Sequence, residues 1–357
     1  MIDFRYHLVS LISVFLALAV GIALGAGPLK ETIGDTLTGQ VEQLRTEKDD
    51  LRTELDRTSA DLDDANSYID AAGPQLLDGA LADRRVAVVA LGDVPEDERT
   101  AIDARLDQSG ATVTAHVTLT DAWFDSDLRS YRQALASLLA ENLDPVPADG
   151  ATLDAQLAQA LVQGLAGADP AAPDALTADA ANILAILSQG DNPMIALADP
   201  VTTGADAIVV LAVPVSTDGD DTSPTPQPEQ SSIDAQIAVV QAAQGLTEGA
   251  VLVDGPRGAG SLVDAVLDDD SLAAALTTVS GADEVAGQVN GPLALAARIG
   301  GTNGHYGFGD GETPVPPAVQ LEPVDRTPVV EPELPEGEPT PAPSGEPTAA
   351  ATEGTQG

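Results

Sequence analysis

The chain has 357 residues, enough for one sizeable folded core beside elongated segments, and it has no cysteine, which excludes disulfides and thiolate metal sites. Its 57 Asp and Glu against 15 Lys and Arg give a formal net charge of -42. Binding to phosphate backbones needs a basic face, so nucleic acid is excluded as a partner.

From Leu8 to Leu29 no residue is charged. As a helix at about 1.5 Å per residue this stretch is roughly 33 Å long, matching a hydrocarbon core of about 30 Å. A cleaved secretory signal is the alternative, with Ala23-Leu24-Gly25-Ala26 resembling a cleavage site. The apolar run exceeds a usual signal core and leads on without a loop, which favours an uncleaved, single-pass membrane anchor over residues 1–30. Arg5 and the terminal amine precede the span, while Glu31 and Asp35 soon follow Lys30. The positive-inside rule then puts the N-terminus in the cytoplasm and the bulk of the chain outside. Ala17, Gly21 and Gly25 form a small-residue stripe that permits close helix contact.

Residues 31–73 read as a coiled coil. With Leu37 at d, the a positions are Val41, Lys48, Leu55, Leu62 and Ile69, and Leu44 and Leu51 continue the d series before Thr58, Ala65 and Ala72. A 3.5-residue repeat kept over five heptads makes a narrow seam that wants a partner. A second copy in parallel suits it, because Glu47 at g faces the partner copy's e position, which is Arg52, and Lys48 at a disfavours other registers. The alternative is a helix lying on its own domain. Gly73-Pro74 is expected to stop the helix.

Residues 80–310 alternate strand and helix patterns, predicting an open, mostly parallel α/β (Rossmann-like) extracytoplasmic domain. Val86 to Leu91 is an apolar run of the kind buried on both sheet faces. A helix over Glu96 to Gln108 and a strand over Thr112 to Leu119 follow. Helical patterns fill Asp121 to Gln163, broken from Asp144 to Gly150, and Ala178 to Leu187 follows an Ala/Pro/Asp-rich connection. Ile195 to Ala198 is a short apolar run. Ala205 to Val213 predicts a strand, Ser216 to Gln230 an exposed loop, Ser232 to Gln244 a helix and Ala250 to Val253 a buried strand. Ser261 to Leu267 and Glu284 to Ile299 predict helices, with an edge strand at Thr277 to Val279. The segment 311–357 is rich in Pro, Glu and Thr and is expected to be a disordered, solvated tail.

The chemistry legible in these residues is sparse. Gly255, Gly258 and Gly260, with Arg257, form a strand-to-helix loop that could hold an anion but matches neither phosphate-binding fingerprint, so a plain turn is the simpler reading. Gly300 to Gly307 is a second glycine-rich loop and carries His305. Of the three histidines, His7 borders the span, His116 sits in a strand, and no nucleophile, base and orienting group assemble around them. We expect no enzyme and no resident cofactor. Copper(I) prefers soft ligands, yet only Met1 and Met194 offer sulfur, and copper(II) would need His116 and His305 to converge.

The opening Ile2 to Gly25, IDFRYHLVSLISVFLALAVGIALG, resembles that of the actinobacterial MctB family of copper transporters, also called copper transport outer membrane proteins. The heptad rod, the α/β region and Gly304-His305-Tyr306-Gly307 are similar to the same family, covering about residues 1 to 310. The resemblance implies copper homeostasis, with efflux across the envelope, and its naming implies the outer membrane. SteB-like members imply instead a scaffold for cell division or envelope assembly that works with a protein partner and does not handle copper itself.

Overall fold

The computed structural model describes residues 4–26, 28–213 and 230–329. The chain divides into two compact units, Met1–Ala72 and Gly73–Gly357. In the first unit, α1 (Phe4–Ala26) is the one helix among the described residues long and apolar enough to cross a membrane, with a mean hydropathy of 2.6 over Phe4–Gly25. α2 (Pro28–Leu77) carries the heptads as one continuous helix.

α2 does not stop at Gly73-Pro74, and Pro74 lies inside it. Proline removes one backbone donor and crowds the carbonyl four residues back, a cost of about 3 kcal/mol in a helix interior. The last turn is held by packing in the second unit, where Leu77 and Leu81 are fully buried. Complete burial of a leucine contributes about 1.5–3 kcal/mol, so two such residues offset the proline.

The second unit is an α/β domain. Its elements are β1 (Arg85–Ala90), α3 (Glu96–Gln108), β2 (Thr112–Leu119), α4 (Asp121–Phe124), α5 (Arg129–Leu139), α6 (Leu153–Ala166), β3 (Ala168–Asp169), β4 (Ala172–Leu176), α7 (Ala178–Ser188), β5 (Ile195–Leu197) and β6 (Ala207–Leu211). After the segment outside the description come α8 (Gln230–Gln244), β7 (Ala250–Val253), α9 (Leu262–Leu267), α10 (Asp270–Ala275), β8 (Thr278–Val279), α11 (Val285–Ile299) and β9 (His305–Tyr306). The loop expected over Ser216 to Gln230 falls almost entirely outside the described residues.

Seven strands form one sheet in the order β5-β2-β1-β6-β7-β8-β9, parallel throughout except for β5, which runs antiparallel on β2. Strand order reverses between β1 and β6, the pattern of a doubly wound sheet. In β1 the side chains alternate between two cores: Ala87, Val89 and Leu91 face one that includes α6, α7 and α8, while Val86, Val88 and Ala90 face one built with α3 and α11. Both faces are therefore covered, which explains the unbroken apolar runs of β1, β6 and β7.

Three further features differ from the sequence expectation. Thr278–Val279 is not an edge strand, because β9 pairs outside it. The Ala/Pro/Asp-rich connection holds the hairpin β3–β4, a separate two-stranded sheet. The segment 312–329, expected to be a free tail, is laid along the domain without regular structure. Thr313 N–H donates to His305 O at 2.8 Å, Asn290 Nδ2 to Pro314 O at 2.9 Å, Arg84 Nη2 to Glu322 O at 3.0 Å, and Val329 N–H to Pro170 O at 2.9 Å. Leu321 packs on the α3/α11 core and Arg326 pairs with Asp206. Composition misleads here because the segment's own groups in these four hydrogen bonds are backbone N–H and C=O, which any sequence can supply, with Leu321 and Arg326 adding side-chain contacts. Residues 330–357 of the expected tail lie outside the described residues.

Arg84 and Asn290 are 4% and 3% exposed, so removing residues 312–357 strips partners from two buried polar groups. Each such loss costs about 1–3 kcal/mol. A chain truncated after Gly311 should melt on the order of 5 °C or more below the full chain by circular dichroism.

Candidate functional site

The sequence candidates fall on different parts of the α/β domain. His116 and His305 lie on β2 and β9, which are five strand positions apart. At about 4.8 Å between neighbours this is roughly 24 Å, so one copy of the chain does not bring the two imidazoles to a common ion.

Each histidine has its own partners. His116 Nε2 lies 2.9 and 3.0 Å from the two carboxylate oxygens of Asp103 on α3. That hydrogen bond raises its pKa above the ordinary value, against an opposing effect of burial. His305 Nε2–H donates to Ala273 O at 3.0 Å, and Nδ1 shares a hydrogen bond with the Thr278 hydroxyl at 2.9 Å. Burial holds its pKa below the ordinary value. Both ring nitrogens of His305 are thus engaged in fixing β9 to its neighbours. Met194 is fully buried in the core.

The loop between β7 and α9 is built around two carboxylates. Asp254, 1% exposed at the end of β7, accepts from Gly255 N–H at 2.8 Å through Oδ1. Through Oδ2 it accepts from Ser261 Oγ at 2.8 Å and from Val263 N–H at 3.1 Å. Asp264 accepts from Arg257 Nε at 2.6 Å and from Gly258 N–H at 2.8 Å. Arg257 Nη1 also donates to Asp310 O at 2.8 Å. Two of the loop amides, Gly255 and Gly258, and the Arg257 guanidinium are therefore engaged by the chain's own carboxylates.

In doubly wound sheets ligands bind beyond the carboxyl ends of the strands where the order reverses. Gly92 and Val213 meet there, and a Cβ on Gly92 would lie 2.7 Å from Val213 Cγ2. A more open cavity of 540 Å³ lies between residues 144–148, α6 and the end of α8. Pro145, Val146, Val162, Ala166 and Leu246 line it, with Asp144 its one ionisable group.

One carboxylate escaped the sequence reading. Glu98, in the first turn of α3, is 7% exposed, and burial, then the nearby charges of Asp283 and Asp254, raise its pKa to about 7. Its position beside Asp97 in a string of acids gives no sign of burial. Among the described residues, no three His, Asp or Glu side chains converge so as to hold a metal ion.

An apolar helix of membrane-spanning length followed by a mostly parallel α/β domain defines a membrane-associated α/β protein. Residues 1–317 match the family described as copper transport outer membrane protein, MctB, and the chain belongs to that family. It is 30% identical over 322 residues to the copper transporter MctB of Mycobacterium tuberculosis (strain ATCC 25618 / H37Rv), covering 87% of this chain and 98% of that protein. It is 31% identical over 338 residues to the copper transporter MctB of Mycobacterium leprae (strain TN), covering 88% and 99%. The family's name describes a transport protein, not an enzyme.

The two shifted groups give opposite pH signatures. A histidine whose folded pKa is raised stabilises below the unfolded value near 6.5, and this contribution is lost as pH rises through the folded value. Asp103→Asn should therefore lower the melting temperature more at pH 5.5 than at pH 8.5. Glu98 works the other way, because its folded pKa exceeds the unfolded 4.5 and ionisation penalises the fold as pH rises toward 7. Glu98→Gln should raise the melting temperature at pH 8, with the gain fading near pH 4.5.

Proposed function

We propose that this chain is a non-enzymatic, membrane-anchored protein of the cell envelope that serves copper homeostasis by supporting copper export. The observation that carries this reading is the family match over residues 1–317, which takes in the apolar helix and the α/β domain together. The relatives' printed name, copper transporter, supplies the cargo. The N-terminus is cytoplasmic and the α/β domain external, on the charge argument given for the sequence.

A conduit through a bilayer needs a closed barrel or several packed helices, because lipid cannot satisfy open backbone. α1 is a single helix, so the chain contributes to export together with other copies or with a partner protein. The α/β domain is expected to bind copper weakly: sulfur is confined to Met1 and the buried Met194, and His116 and His305 stand on separate strands.

The exposed heptad stripe of α2 favours a second reading, a scaffold for division or envelope assembly with no direct copper handling. Deletion of the gene, with the full chain returned on a plasmid, separates the two. Copper export predicts copper hypersensitivity and raised cellular copper, both reversed by the plasmid. Normal copper tolerance with misplaced septa would sink the export reading and support the scaffold.

A further inference from the structure

α2 carries an apolar stripe that nothing in its own unit covers. Leu37, Leu44, Leu51, Leu55 and Leu62 are each 57% to 64% exposed, and Val41 is 40% exposed. These are a and d positions of the heptads, so the exposed leucines and Val41 line up along one seam of the helix.

We propose that this seam is the interface of a parallel, in-register homodimer, so that the partner on α2 is a second copy of this chain. The argument rests on how charge is sorted beside the seam. Between Leu37 and Ala72 the only charged residues at e are Arg45 and Arg52, and the only charged residues at g are Glu47, Glu54 and Asp61. In a parallel pair each g faces the e of the following heptad on the other chain, so Glu47 meets Arg52 and no like charges meet. In an antiparallel pair g faces g and e faces e, which sets acids against acids and arginines against arginines. The sorting selects against that arrangement.

Lys48 fixes the register. In register, both copies place Lys48 in the same a layer, and the seam has one polar layer. A slip of one heptad sets each Lys48 against an apolar a residue, Val41 or Leu55, and makes two such layers. Parallel entry is also the geometry of two copies anchored by N-terminal helices in one membrane. This interface does not depend on copper, and it stands or falls separately from the export reading.

The absence of cysteine makes an engineered thiol the only one in the chain. Val41→Cys and Ile69→Cys variants of the full chain, purified in detergent and oxidised with diamide, should each form disulfide dimers alone. Glu47→Arg should weaken association roughly tenfold, since two symmetric pairs turn from attraction to repulsion at about 1.4 kcal/mol in total. Glu47→Arg with Arg52→Glu should restore it. Helical circular dichroism on each variant separates lost association from lost folding. Cross-linking only in a mixture of the two cysteine variants would overturn the parallel arrangement. A monomer in detergent at high concentration, with the helix intact, would overturn the homodimer and leave the seam to a different protein.

Discussion

Every residue from Val86 to Leu91 is at most 2% exposed, so β1 has no face that can meet water. That constraint organises the α/β domain. A strand apolar on both sides must lie inside a sheet and under two layers of helix, and it finds β2 on one side and β6 on the other. The reversal of strand order at β1/β6 lets the chain wind outward in both directions and supply helices to both faces. α3 and α11 close one face, and the helices from α4 to α9 close the other.

What could be read from the sequence was what this burial writes into it. β2 and β7 have the boundaries expected, as does α3: β7 is a continuous apolar run covered on both faces, β2 alternates buried and half-buried residues, and α3 carries Ile102 and Leu106 on one buried side. The two-residue strand β9 has no period to read, and it exists because β8 offers it hydrogen-bond partners. The packed course of 312–329 was hidden for the same reason, since its hydrogen bonds use its backbone N–H and C=O groups and its side-chain contacts, Leu321 and Arg326, are isolated and carry no period. The candidate site was less legible than the fold. Asp103 precedes His116 by thirteen residues and reaches it only because α3 packs beside β2. The raised pKa of Glu98 likewise draws, beside burial, on charges far away in sequence, those of Asp283 and Asp254.

A chain with a net charge of -42 must accommodate its own acids as well as bind anything else. At the end of β7 it does so locally. Asp254 and Asp264 take up two amides and the guanidinium of the 255–260 loop, and Glu312, whose side chain is fully buried, accepts from Ser280 Oγ at 2.9 Å and Gly309 N–H at 2.7 Å. At β7 and β8, part of the carboxyl edge that often binds ligands in such folds is thus taken up by internal hydrogen bonding.

The junction at the start of β1 has a mechanical consequence. The chain enters the domain through Leu77 and Leu81 and reaches β1, an interior strand of the sheet and not an edge, so a pull on the N-terminal end of the domain acts on a strand with a neighbour on each side. Where such a pull runs along β1, it loads the strand in shear. Its ladders to β2 and β6 then resist together, whereas an edge strand would peel away one hydrogen bond at a time. Arg84, fixed to Glu322 O on one side and within 3.3 Å of Glu248 on the other, pins the point where that load enters. β1 therefore cannot leave the sheet without breaking both ladders.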